Sequence, residues 1–336
     1  MSVLNRDILI SFFMFTTNLE PGNAGYASTI VAHMKELRKI GYDGFDLPIA
    51  PPAGALDRDG DLRLYEELRK ALDKAELKKL RLTTNVYATP AFDPSSSSAA
   101  QRKNALEYLK SRVDITKALG GDVLAGPIVL PYGVFPTDWN VPLWSDALQD
   151  WLVGRYENAK PVLEKLGDHA ARQGVKIAIE PVGHWETPAP NLLSDLQLFL
   201  KDVPNIQLGG CVDTAQVVIG SDNVETHTRG IRQLFDEKRL HYVHLSAPDR
   251  GALKDSWIPW RQFLAPVFKG FEGPYLVEVF NAIPAFLNGL RITRRKFWIS
   301  GEDVPVAGVP DAYTVAREAL EEVRRQFDNL SAAHNE

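Results

Sequence analysis

Arg172-Gln173-Gly174-Val175-Lys176-Ile177-Ala178-Ile179-Glu180 carries the trace of a whole structural unit. A helical stretch ends, a glycine able to adopt a left-handed conformation closes it, an apolar run follows, and an acid stands where the run stops. Short apolar runs alternating with amphipathic segments of helical period are the signature of parallel β/α architecture. The unit recurs along the chain. Strands are expected at 8–14, 44–49, 81–87, 123–129, 175–180, 207–213, 241–246 and 275–280. Helices are expected at 26–40, 62–80, 100–119, 156–173, 192–200, 224–236 and 257–268, with a closing helix at 312–327 capped by Asp311. Glycines at the Ile40-Gly41 and Leu119-Gly120 joints repeat the cap chemistry.

Eight strand–helix units predict a single (β/α)₈ barrel over residues 1–336, with its site where the C-terminal strand ends meet the βα loops. The competing doubly wound sheet is weakened because no Gly-x-Gly-x-x-Gly follows the first strand. A minimal barrel needs about 250 residues. The surplus is assigned to a loop at 130–155, with Pro131, Pro136, Pro142, Trp139, Trp144 and Trp151, and to a C-terminal extension at 299–336. The loop reads either as a lid over the site or as a surface excursion packed by its own aromatics.

Composition narrows the function. A net charge of −5 with dispersed Lys and Arg offers no electrostatic footprint for nucleic acid or an anionic membrane. The single Cys211 forbids an internal disulfide and fits a reducing, cytoplasmic setting. No uncharged run reaches the roughly 18 residues of a bilayer span.

The informative positions are the ends of strands five to eight. Ile177-Ala178-Ile179 runs into Glu180, Cys211-Val212 into Asp213, Tyr242-Val243 into His244, and Leu276-Val277 into Glu278. These residues are 33, 31 and 34 apart, one β/α repeat each time. Three carboxylates behind buried runs cost several kcal/mol apiece unless a cation neutralises them, so a divalent metal is expected. An O,O,O,N donor set suits Mn²⁺ first, with Co²⁺ or Mg²⁺ as alternatives.

With these residues in place the chain resembles the xylose-isomerase-like barrels of the ketose 3-epimerase type. The resemblance is sharpest from Ile177 to Phe280. It implies a metal held by Glu180, Asp213, His244 and Glu278, with the two glutamates also acting as acid and base on opposite faces of a sugar. Glu180-Pro181-Val182-Gly183-His184-Trp185-Glu186 matches the family's ligand glutamate followed six residues later by a sugar-binding glutamate, here Glu186. His244-Leu245-Ser246-Ala247-Pro248-Asp249-Arg250 likewise pairs a ligand histidine with a sugar-binding arginine, here Arg250. His184, between two site glutamates, is a candidate for acid–base or hydroxyl-binding duty.

Several features depart from the simple epimerases. Gln216, taken with Glu186 and Arg250 as a substrate-binding residue, stands where they carry a histidine three residues beyond the ligand aspartate, and His184 where they carry a larger cationic group. Phe12-Phe13-Met14-Phe15 makes the end of the first strand apolar. These departures look more like the α subunits of C-glycoside deglycosidases, which act on 3-oxo-glucosides together with a small β subunit. That branch is the expected activity, with a ketose 3-epimerase as the alternative and a non-catalytic sugar-binding barrel as the second alternative. A homo-oligomer is expected if no β subunit is needed. No Gly-rich phosphate cradle appears near strands seven and eight, which points to an unphosphorylated substrate.

Overall fold

A computed structural model of the chain describes residues 6–15, 20–49, 51–52, 54–136, 146–220, 223–254, 256–281 and 297–333. Eight parallel strands close into one barrel in chain order: β1 (Ile8–Ser11), β2 (Gly44–Pro48), β3 (Arg81–Asn85), β4 (Val123–Gly126), β5 (Lys176–Ile179), β6 (Leu208–Asp213), β7 (Leu240–Ser246) and β8 (Tyr275–Glu278). Around them run α1 (Tyr26–Ile40), α2 (Arg58–Lys74), α3 (Ala99–Ala118), α4 (Asp146–Gln173), α5 (Leu193–Lys201), α6 (Thr214–Ile219), α7 (Val224–Asp236), α8 (Trp260–Leu264) and α9 (Ala312–Ala332). The (β/α)₈ barrel is the expected architecture. Among the described residues, no helix is long and apolar enough to cross a membrane.

The boundaries differ from the pattern for identifiable reasons. β1 gives way to a 3₁₀ turn at Phe12–Met14 because Ser11 Oγ accepts the Phe13 N–H at 3.2 Å. α2 begins at Arg58, where Asp57 caps Gly60 N at 2.9 Å, and it stops before Glu76, which has a left-handed φ of 59°. α8 is short because Pro259 and Pro266 bracket it and neither can donate a backbone hydrogen bond. α4 starts at Asp146 rather than 156, since Leu148, Trp151 and Leu152 already set a helical face against the core. The C-terminal part of the 130–155 excursion is therefore helix, while Trp139, Pro142 and Trp144 lie outside the described residues.

Inside the barrel a small apolar floor is formed by Leu9, Val123, Ala125, Ala178, Cys211, Tyr242 and Leu276. Strand side chains alternate between faces, so residues two apart share a side and the phase of each strand decides what reaches the mouth. The β6–β7 ladder is interrupted between Gly210 and Cys211: Gly210 pairs with Leu240, whereas Cys211 pairs with Tyr242. His241 is the extra residue. Its ring fills the space beside Gly209, where an added Cβ would stand 2.7 Å from the imidazole and 2.2 Å from the Arg239 carbonyl. His241 Nδ1 is 3.1 Å from the Ile177 carbonyl oxygen. The bulge resets the phase so that Asp213 and His244 lie side by side on the inner face.

α9 closes the outer ring of helices beside α1. Phe327 packs on Tyr275 at 5.1 Å, Arg324 donates to the Gly41 carbonyl at 2.9 Å, and the Tyr42 hydroxyl donates to Ala316 O at 2.7 Å. Tyr313 meets His33 Nδ1 at 2.8 Å, and that imidazole lies among Phe12 and Phe15.

Burial pushes His33 and His241 down to about 4. Unfolded imidazoles take a proton near pH 6.5. The stability these two residues lend is therefore present above about pH 6.5 and lost as the pH falls toward 4. Urea unfolding across that window should show His33→Gln and His241→Asn proteins with a shallower loss of stability than the wild type. A variant with an unchanged pH slope would contradict the assignment.

Candidate functional site

The strand phases bring four ligand-type side chains to one mouth. Glu180 follows β5 directly, its N–H held by Gly126 O at 3.1 Å. Asp213 ends β6 and caps α6 by accepting from Gln216 N at 2.9 Å. His244 is level with Asp213 in β7, and Glu278 ends β8 level with Ser246. All four are buried.

His244 Nδ1 faces Glu180 Oε1 at 3.7 Å, Asp213 Oδ2 at 3.9 Å and Glu278 Oε2 at 3.7 Å. Those separations are too long for hydrogen bonds, and among the described residues neither ring nitrogen has a hydrogen-bond partner. A fully buried imidazole with two orphaned nitrogens and three carboxylates at equal reach fits a shared cation. The four ligand atoms lie within 4.8 Å of one another. The residues fit a divalent metal.

The only guanidinium that touches this cluster among the described residues is Arg250. Its Nη1 is 3.2 Å from Asp213 Oδ2, 3.1 Å from Ser246 Oγ and 3.6 Å from Glu278 Oε2, and its Nη2 is 3.8 Å from Glu186 Oε1. The turn that delivers it places Arg250 at a left-handed φ of 60°, closed by its N–H on Ala247 O at 2.7 Å. For a residue with a Cβ that conformation costs about 1–2 kcal/mol. Three carboxylates and the Ser246 hydroxyl hold it there. Its face also covers Phe280, 5.0 Å from the ring centre, and Phe280 packs on Phe13 at 5.3 Å. An apolar wall therefore borders the charged cluster.

Environment separates the acids. Burial pushes Glu278 up to about 7 and raises Glu180 and Glu186 as well. Asp213 is also buried, but Arg250, His244, the Gln216 N–H and Ser246 outweigh that and hold it below the usual carboxylate range. Ser246 Oγ donates to both Asp213 oxygens, at 2.7 and 2.8 Å. Burial opposes a charged His244, yet Cys211, Glu278 and Glu180 raise it well above its ordinary value.

Gln216 is buried with its side chain fully engaged. Its Oε1 accepts from Gly183 N at 2.7 Å, and its Nε2 donates to Glu186 Oε1 at 3.0 Å. It ties the 180s loop to α6 and orients Glu186. His184 is not brought into the cluster: it is exposed, edge-on to Trp185 at 5.6 Å.

Sequence reasoning missed several contributors. Ser246 sits two residues beyond His244 on the same strand face, a signal that period-two reading could have used. Thr214 Oγ1 donates to Ser246 O at 2.6 Å and accepts its N–H at 2.8 Å, which locks the β6 and β7 ends together. Burial, with the Glu186 carboxylate beside it, pushes the Tyr132 phenol above its ordinary range. Below the mouth, Thr83 Oγ1 joins Asp46 Oδ2 at 2.7 Å to the Tyr242 hydroxyl at 2.6 Å. Burial pushes Asp46 up to about 6.

Residues 34–296 match the family described as xylose isomerase-like TIM barrel. The chain belongs to that family. Among its relatives, L-ribulose 3-epimerase of Methylomonas sp. (strain DH-1) is 25% identical over 271 residues, which span 79% of this chain and 84% of the relative. Ketose 3-epimerase of Arthrobacter globiformis is 21% identical over 274 residues, 81% of this chain and 85% of that one. A crystal structure from Anabaena variabilis ATCC 29413, described as a candidate sugar phosphate isomerase/epimerase, superposes with a TM-score of 0.91 at 52% identity, covering 97% and 99% of the two chains.

Arg250 separates carboxylates that otherwise repel. Replacing it with Met should destabilise the protein, without added metal, by about 3–5 kcal/mol in urea unfolding, the usual cost of stranding buried charge. A loss of about 1 kcal/mol or less, typical of an exposed pair, would show that the guanidinium does not keep the cluster together.

Proposed function

We propose that this member of the xylose isomerase-like barrels is a divalent-metal-dependent keto-sugar epimerase, one that removes and returns a proton at the carbon beside a ketone. The observation that carries this reading is the convergence of Glu180, Asp213 and Glu278 on His244 Nδ1. The two relatives named L-ribulose 3-epimerase and ketose 3-epimerase support epimerisation over the C-glycoside cleavage expected first.

Glu180, Asp213, His244 and Glu278 would hold the ion, with Mn²⁺ the first to test and Co²⁺ or Mg²⁺ the alternatives. Bound there, such an ion supplies Lewis-acid polarisation of the ketone and its neighbouring hydroxyl. The protein supplies the proton traffic. Glu278, buried at the mouth at the end of β8, is placed to take or return a proton as a general acid–base. Glu180 approaches from β5, with β6 and β7 lying between it and Glu278 on β8. One carboxylate takes the proton from one face and the other returns it to the opposite face, inverting the carbon. Arg250 and Glu186 offer a donor and an acceptor for sugar hydroxyls, and Gln216 fixes Glu186 from behind. The Phe13–Phe280 wall keeps one side of the mouth apolar.

A second reading rests on that same wall, which suits a planar aglycone: C-glycoside deglycosidase activity on 3-oxo-glucosides with a small β subunit. Without such a partner we assign a homo-oligomer acting in the cytoplasm. His184, at the exposed rim, is assigned to contacts with the outer part of the substrate rather than to proton transfer.

The test is incubation of the Mn²⁺-loaded protein in D₂O with free pentuloses and hexuloses, their phosphates, and a 3-oxo-C-glucoside. Deuterium at C3 with accumulation of the epimer is the expected result. Aglycone release in its place would establish the second reading, and silence on every substrate would overturn both. Glu180→Gln and Glu278→Gln should each slow turnover by about 10²–10⁴-fold, the usual worth of a general acid–base. Activity close to wild type in either would refute its role.

A further inference from the structure

Beneath the oxygen-rich cluster lies a second donor that the epimerase reading leaves unused. Cys211 is fully buried in the barrel floor, two residues before Asp213 on the inward face of β6. Ile179 pairs with Gly210, so the next residues, Glu180 and Cys211, are lateral neighbours. On the other side Cys211 pairs with Tyr242, which places it diagonally below His244. Cys211 Sγ, a Glu180 oxygen and a His244 ring nitrogen all lie within 4.8 Å of one another. Among the described residues His244, wholly buried, has no hydrogen-bond partner on either ring nitrogen, so whichever nitrogen is deprotonated is free to ligate an ion.

We infer that Cys211, Glu180 and His244 form a sulfur-containing cation site for thiophilic divalent ions such as Cd²⁺ or Zn²⁺. It shares two ligands with the O,O,O,N centre and excludes a second ion there. The inference rests on reading that centre as a cation site and adds a rule for which ions it discriminates. Thiolate sulfur and imidazole select soft and borderline ions, whereas carboxylate oxygens suit Mn²⁺ and Mg²⁺. Metal–ligand bonds of about 2.0–2.3 Å set tetrahedral donors about 3.3–3.8 Å apart, so side-chain rotations of roughly an ångström close the set. On binding, the Cys211 thiol proton and one imidazolium proton of His244 leave to solvent as the metal–sulfur and metal–nitrogen bonds form, and no electron moves. An ion drawn toward the floor leaves Asp213 and Glu278 without a shared cation. Thiophilic ions therefore act as inhibitors that compete with Mn²⁺.

Because the chain has one cysteine, any thiolate signal reports this residue. The full-length protein is titrated with Cd²⁺ alone, and the sulfur-to-cadmium charge-transfer absorption in the ultraviolet is read together with the ¹¹³Cd chemical shift. Wild type should develop the absorption and a shift typical of one sulfur ligand. Cys211→Ser and Cys211→Ala should both lose them, and Mn²⁺ added in excess should erase the wild-type signal. Cadmium bound without the absorption, or an absorption retained in both variants, would overturn this inference while leaving the oxygen centre standing. Failure of both Cd²⁺ and Mn²⁺ to bind would overturn the inference together with the metal centre on which it rests.

Discussion

Four carboxylates, Glu180, Glu186, Asp213 and Glu278, crowd around one buried guanidinium, and a dry interior does not tolerate that imbalance without further positive charge. The neighbouring groups make sense as responses to it. Ser246, the Gln216 backbone and Arg250 all direct donors at Asp213, which holds that acid ionised. Glu180 and Glu278 receive fewer donors, and burial raises both. One acid is fixed as a charge while two are left free to exchange protons. The division follows from hydrogen-bond supply, since all three side chains are buried alike.

Such a cluster exists only if four adjacent strands arrive in phase. Side chains alternate along a strand, so a one-residue slip would turn a ligand out toward the helices. Between β6 and β7 the phase is not inherited from simple pairing but made by the bulge at Gly210/Cys211, with His241 as the surplus residue and Gly209 as the space that receives it. A buried imidazole three residues earlier in β7 thus takes part in aiming the ligand imidazole at the mouth.

The barrel and the four ligand positions were legible because both are periodic. Apolar runs recur with the β/α repeat, and Glu180, Asp213, His244 and Glu278 mark the ends of successive runs. The side chains on the βα loops were less legible, since no period governs a turn. His184 and Glu186 lie two residues apart in one loop, yet one is exposed and the other buried. Arg250 reaches the cluster through a left-handed backbone that nothing in its residue type announces. Gln216 could be placed near the site from its distance to Asp213, but its engagement with Gly183 and Glu186 depends on two loops meeting. The early start of α4 was obscured by the run of prolines before it, although Leu148, Trp151 and Leu152 carry the helical spacing.

The Gln216 bridge has a chemical consequence of its own. An imidazole in that place would change its donors and acceptors as it titrates near neutrality. A carboxamide presents one acceptor and two donors at every pH at which the protein is folded. The loop that carries Glu186 is thereby insulated from the proton inventory of the solvent. Acidity can alter which site carboxylates are charged without loosening the frame that points them at a substrate.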